Sequence, residues 1–186
     1  MQKQEDIAQL FAVIEAGSDD NAFQAADSLA KLGGEEVVQK LITLLSSSDY
    51  NTVYLAARAL SKHKHNQLAL EPIFELIKNG EQPFLKAILT EALAGFDCSE
   101  YFVDVFKLYL FGNFKVSAMA KEVLDDQEFA ITPRVIRKAE KQWHHYSHNI
   151  KLGDDFHTKK REVEEMFGIM KELFDGEETG TDAEEE

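Results

Sequence analysis

The sequence predicts an all-α protein: a stacked solenoid of about four helix pairs, closed at its C-terminal end by a helical hairpin. Repetition is the first observation behind that expectation. The stretch NTVYLAARALSK (Asn51–Lys62) has counterparts in NAFQAADSLAKL (Asn21–Leu32), FLKAILTEALAGF (Phe84–Phe96) and KVSAMAKEVLDD (Lys115–Asp126). Aligning them places Leu29, Leu60, Leu93 and Leu124 in one column and Ala25, Ala56, Leu89 and Ala120 in another. The column leucines recur at intervals of 31, 33 and 31 residues. A fixed period of that size marks units that bury their apolar faces on their neighbours. The second observation is that each copy follows another amphipathic stretch, so the unit is a helix pair. Turn residues falling regularly between the stretches are the third.

Taken in order, repeat one begins with Asp6–Ala16, where Ile7, Leu10, Phe11 and Ile14 have helical spacing. Gly17-Ser18-Asp19-Asp20 breaks it and offers acids to cap the next helix, which Gly33-Gly34 ends. Repeat two runs from Glu35 to Leu45, turns at Ser46–Asp49 and continues into Asn51–Lys62. Repeat three starts near Gln67, breaks at Asn79-Gly80 and resumes at Pro83, a residue suited to the first helical turn. Repeat four spans Ser99–Phe111, breaks at Gly112-Asn113 and ends with Lys115–Asp126. Beyond it the period stops. Thr132-Pro133 starts a longer helix to Lys151 with Val135, Ile136, Ala139, Trp143, Tyr146 and Ile150 on one face. Gly153-Asp154-Asp155 turns into a last helix, Phe156–Phe174, striped by Val163, Met166, Phe167, Met170, Leu173 and Phe174. The expected division is a solenoid over 1–131, a capping hairpin over 132–175 and an acidic, disordered tail over 176–186.

Composition limits function. The chain has 186 residues, enough to bury a sizeable core, with 20 basic against 34 acidic residues and a formal net charge of −14. Nucleic-acid affinity comes mostly from neutralising phosphates, so no nucleic-acid partner is expected. Cys98 is the only cysteine, which rules out an internal disulfide and suits a reducing, cytoplasmic setting. Neither a signal-peptide pattern nor a run of about 18 apolar residues occurs, so no membrane association is expected.

The repeats resemble HEAT-like repeats, in particular the short type first named from phycobilisome lyases. SDDNAFQAADSLAKLG and SSDYNTVYLAARALSK carry the resemblance: a turn acid precedes a helix with paired alanines and a leucine three positions after the second. It covers roughly residues 6–126, strongly in the first two repeats and by pattern in the next two. The short type often has an arginine early in the second helix; Gln24, Tyr54, Lys86 and Ser117 stand near that place here. The resemblance implies a right-handed α-solenoid, non-enzymatic, whose second helices line a concave face that binds another protein. The type's name also raises an alternative: a bilin (tetrapyrrole) lyase or pigment-handling protein.

Candidate residues follow from that geometry. Positions two before and two after each column leucine point away from the core: Asp27 and Lys31, Arg58 and Lys62, Glu91 and Gly95, Glu122 and Asp126. Asp27, Arg58 and Glu91 can form an ion ladder between repeats, each exposed pair contributing about 0.2–1 kcal/mol. Alternatively, Tyr54, Arg58 and Lys62, with Lys86 nearby, form a basic and aromatic patch facing a protein partner with an acidic segment, since the first helices are acidic. His144 and His148 have the i, i+4 spacing of a metal pair, but no motif completes it and no metal is assigned. His63 and His65 sit at a helix end, where the helix dipole favours a cation. No metalloprotease, phosphate-loop, nucleophile-elbow or dinucleotide motif is present. Asp125-Asp126 and Asp154-Asp155 read as caps, and Cys98, next to Asp97 with no base near, reads as unreactive. Neither a catalytic residue nor a cofactor is expected.

Overall fold

The computed structural model describes residues 2–17, 20–149 and 155–175, and every regular element among them is helical. The pairs are α1 (Gln2–Ala16) with α2 (Asp20–Leu32), α3 (Glu35–Leu44) with α4 (Tyr50–Ser61), α5 (Leu70–Asn79) with α6 (Pro83–Ala92), and α7 (Phe102–Phe111) with α8 (Phe114–Asp126). The hairpin helices are α9 (Pro133–Asn149) and α10 (Phe156–Asp175). Ser18, Asp19, Ile150, Lys151, Gly153, Asp154 and the tail from 176 onward lie outside the described residues, so expectations about them stand apart from the structure.

Local chemistry sets the helix ends. Asp49 caps α4, its carboxylate accepting from the Thr52 amide at 2.9 Å and the Thr52 hydroxyl at 2.7 Å. Those bonds, the hydroxyl's foremost, hold the Asp49 carboxyl below its ordinary range. Asn113 caps α8 by accepting from the Val116 amide at 3.0 Å, and Pro83 opens α6 where its missing N–H is not needed. Past α2, Gly33 takes a left-handed φ of 66°. The expected starts near Gln67 and at Ser99 are 3-10 turns, Gln67–Ala69 and Ser99–Tyr101, leading into α5 and α7.

Both aligned columns face the core. Leu29, Leu60 and Leu93 are fully buried, as are Ala25, Ala56, Leu89 and Ala120, whereas Leu124 is only half-buried. Small residues in the second helices let them approach closely. Accordingly α2, α4, α6 and α8 pack consecutively, while among the described residues α1, α3, α5 and α7 make no comparable contact with one another. The second helices therefore form the more tightly stacked row.

Two buried or half-buried amides fasten the corners between repeats. The Asn66 side chain donates to the Leu60 carbonyl at 3.0 Å and the Gly95 carbonyl at 2.8 Å. Gln127 accepts from the Cys98 amide at 3.1 Å and donates to the Leu93 carbonyl at 3.2 Å. Each satisfies backbone groups that a helix end leaves unpaired.

The hairpin joins repeat four through α7. α9 packs on α7, and Phe167 of α10 meets Phe106 of α7 with ring centroids 5.8 Å apart. Tyr109 donates to the Glu162 carboxylate at 2.5 Å. Buried Lys159 donates to the Leu110 carbonyl at 3.3 Å, near the rings of Tyr109 and Tyr146. Of the expected α10 stripe, Val163, Phe167 and Met170 are buried and Met166 half-buried, but Leu173 is exposed.

His63 corrects the dipole expectation. It is buried, its Nδ1 accepts from the His65 amide at 3.0 Å, and its Nε2 has no partner among the described residues. Burial, then the charge of His65, pushes its pKa down, so it is a neutral core residue rather than a cationic cap. The unfolded chain gains a proton as pH falls through about 6.5, where the folded chain resists it, so acidification removes stability. The expected result is that His63→Asn, which keeps an acceptor, flattens the decline in urea-unfolding stability between about pH 7 and pH 5.

Candidate protein-binding surface

Successive turns of α4 put Tyr54, Arg58 and Lys62 on one face, and the same geometry aligns Phe23 and Asp27 on α2. Asp27 is the hub. Its carboxylate takes two bonds from the Arg58 guanidinium, Nε at 3.0 Å and Nη2 at 3.1 Å, and one from Lys62 Nζ at 2.8 Å. The Arg58 bond, ahead of any other influence, holds the Asp27 carboxyl below its ordinary range and raises Arg58 in return. Phe23 supports the cluster, with the Arg58 guanidinium 5.6 Å from its ring centre and Tyr54 edge-on at 6.0 Å.

The ladder expectation is partly met, and Tyr54, Arg58 and Lys62 lie on the same face. One rung of the ladder exists, between α2 and α4, but Glu91 on α6 forms no ion pair among the described residues. Instead Glu91 and Ile88 form the far wall of a groove of about 160 Å3 whose near wall is Tyr54, Arg58, Ser61 and Lys62. A double-mutant cycle on Asp27→Asn and Arg58→Met is expected to show coupling of about 0.2–1 kcal/mol at low salt and less at 1 M salt. Since Asp27 sits below its ordinary value, the coupling should persist in mild acid and vanish only as pH falls through the folded value.

Lys86 is not brought to this groove. It lines a separate cavity of about 330 Å3 with Lys78, Lys107 and Phe111, at the turns joining first to second helices. The sequence reading also missed three exposed aromatics at the starts of second helices. Tyr50, Phe84 and Phe114 lie in the first turns of α4, α6 and α8, and Phe114 is 91% exposed.

The remaining candidates lie elsewhere in the fold. Cys98 is buried, its thiol pushed up to about 12 by burial and then by Asp97, which disfavours a thiolate. His144 and His148 stack with ring centroids 4.0 Å apart, and His148 Nδ1 lies 2.9 Å from the His144 carbonyl. Among the described residues, no group of three or more His, Cys, Asp or Glu is placed to hold a metal ion. Asp125 and Asp126 end α8 rather than capping a following helix, and Asp125 pairs with Lys121. No helix among the described residues is long and apolar enough to cross a membrane.

Comparison with known proteins agrees with the helix pairing. No curated protein and no solved structure matches the chain. Residues 7–94, running from α1 into the 3-10 turn after α6, match the family model for HEAT repeats, helical repeats that generally serve as non-enzymatic scaffolds for binding other proteins.

Proposed function

We propose that the protein is a non-enzymatic scaffold or adaptor that binds another protein on its concave, second-helix face, with Tyr54, Arg58 and Lys62 as anchors. The observation that carries this reading is the Asp27 hub. It holds the Arg58 guanidinium and the Lys62 ammonium in fixed positions beside Tyr54, so little side-chain entropy remains to be lost when a partner docks. Two cations around one carboxylate leave the α4 wall locally positive on an otherwise acidic chain, which favours an acidic segment in the partner. Lys86, at the turn edge beside exposed Phe84, would extend that contact only for a partner that wraps around the edge.

Photo-crosslinking tests this surface. A crosslinking residue at position 62 in the groove should give a discrete protein adduct in a lysate of the source cells, reduced by Tyr54→Ala. The same residue at Glu35, exposed on an outer helix, should give none. Adducts from position 35 alone would overturn the reading.

The bilin-lyase alternative has weaker support. The groove beside Tyr54, Arg58 and Lys62 holds about 160 Å3, under the roughly 300–1,000 Å3 usual for small-molecule sites. Purified protein that stays colourless after incubation with bilin would remove it.

A further inference from the structure

The solenoid leaves one place unfilled. In repeats one to three the next second helix covers the column leucine, and Leu29, Leu60 and Leu93 are fully buried. Among the described residues no equivalent helix covers Leu124 in α8, because α10 is tied to α7 and α9 instead. Between α8 and α10 lies a groove of about 680 Å3, floored by Leu124, Phe129, Ile131, Met166 and Met170. Ile169 and Leu173, one helical turn apart on α10, also line it, and each is 58% exposed.

We infer that this groove receives an amphipathic, basic helix of a partner protein, seated where the second helix of a fifth repeat would pack. The repeat register sets the kind of occupant, because every earlier column leucine is buried by a helix. Helix-in-groove recognition needs an apolar floor, and Met166 and Met170 are side chains that adapt to varied apolar surfaces. The rim sets the charge. Asp125, Glu128, Glu162 and Glu165 border the groove with a single lysine, Lys121, whose Nζ is already bonded to Asp125 at 2.6 Å. Glu162 accepts from Tyr109, and among the described residues Glu128 and Glu165 have no partner. Lysines or arginines flanking the apolar stripe of the incoming helix would answer those carboxylates. This surface is separate from the Asp27 groove and does not depend on it.

The test uses the full chain and two labelled model peptides, followed by fluorescence anisotropy. One is a 16-residue amphipathic helix of leucine and lysine; the other replaces each lysine with glutamate. The leucine–lysine peptide is expected to bind, weakening with salt, and the glutamate peptide to bind at least about tenfold more weakly. Ile169→Ser/Leu173→Ser and Glu128→Lys/Glu165→Lys should each weaken the first peptide by about tenfold or more with melting unchanged, since all four side chains are exposed. Glu35→Lys/Glu36→Lys, an equal charge change on α3, should leave it unaltered. Equal losses from both charge reversals would show attraction to net charge alone and overturn the proposal. So would binding that survives Ile169→Ser/Leu173→Ser. Sedimentation as a dimer that Ile169→Ser/Leu173→Ser dissociates would instead make a second copy of this chain the occupant, and the partner helix would be rejected.

Discussion

Replacing Phe106 with alanine is expected to destabilise the protein by about 3–5 kcal/mol, a large part of the 5–15 kcal/mol typical of a folded domain. Phe106 is fully buried and meets three other aromatics: Phe102 stacked at 5.7 Å, Phe167 at 5.8 Å and Tyr109 at 6.3 Å. Deleting its ring removes the transfer free energy and leaves a cavity that rigid neighbours fill poorly. Phe167 belongs to α10, so the damage should also loosen the hairpin. Urea unfolding would give the energy, and limited proteolysis near residue 155 would report the loosening. Phe114→Ala is the comparison, because that ring is almost wholly exposed and should change stability by no more than about 0.5 kcal/mol. A loss below about 1 kcal/mol for Phe106→Ala would mean that the cluster is not a tightly packed core.

Gly95→Ala should be nearly as damaging for a different reason. A Cβ at Gly95 would stand 2.0 Å from the carbonyl oxygen of Ser61 and 2.6 Å from its carbon, both backbone atoms that cannot rotate aside. Relief requires moving the end of α4 away from the 3-10 turn Leu93–Gly95, yet Asn66 holds both sides through the Leu60 and Gly95 carbonyls. The expected loss is about 3 kcal/mol, the upper part of the overpacking range. Gly168→Ala should act in the opposite direction. Gly168 lies inside α10 with no atom within 4 Å of an added Cβ, so alanine is expected to stabilise by about 0.5–1 kcal/mol. Paired thermal melts would resolve both signs. If the two substitutions behaved alike, the close approach at Ser61 would not be the cause.

The helical architecture was legible because its signal is periodic. The spacing of Leu29, Leu60 and Leu93 and the glycine or proline near most of the turns both reflect backbone geometry that sequence records directly. Arg58 and Asp27 were also predictable as neighbours, since the repeat sets their positions relative to the column leucines. What was not legible depends on which helix packs where. Leu173 has the spacing of a core residue, but α10 settles on α7, which turns it outward. Lys86 follows the pattern of a second-helix residue, yet the opening turn of α6 carries it to the edge. His63 reads as a helix-end cation until the corner beside it closes and excludes water. Asn66 and Gln127 are unremarkable amides in sequence, and only the approach of two distant carbonyls gives each its role.

The consecutive packing of α2, α4, α6 and α8 has a consequence for how order is distributed along the chain. Within this row each helix packs chiefly on the one before and the one after it, so stability approximates a one-dimensional sum of nearest-neighbour interfaces. Helices with two such interfaces, α4 and α6, should exchange their amide protons most slowly, while α1 and α2 fray first. A partner bridging two repeats would then protect those repeats and their immediate neighbours, with protection fading by interface rather than by distance.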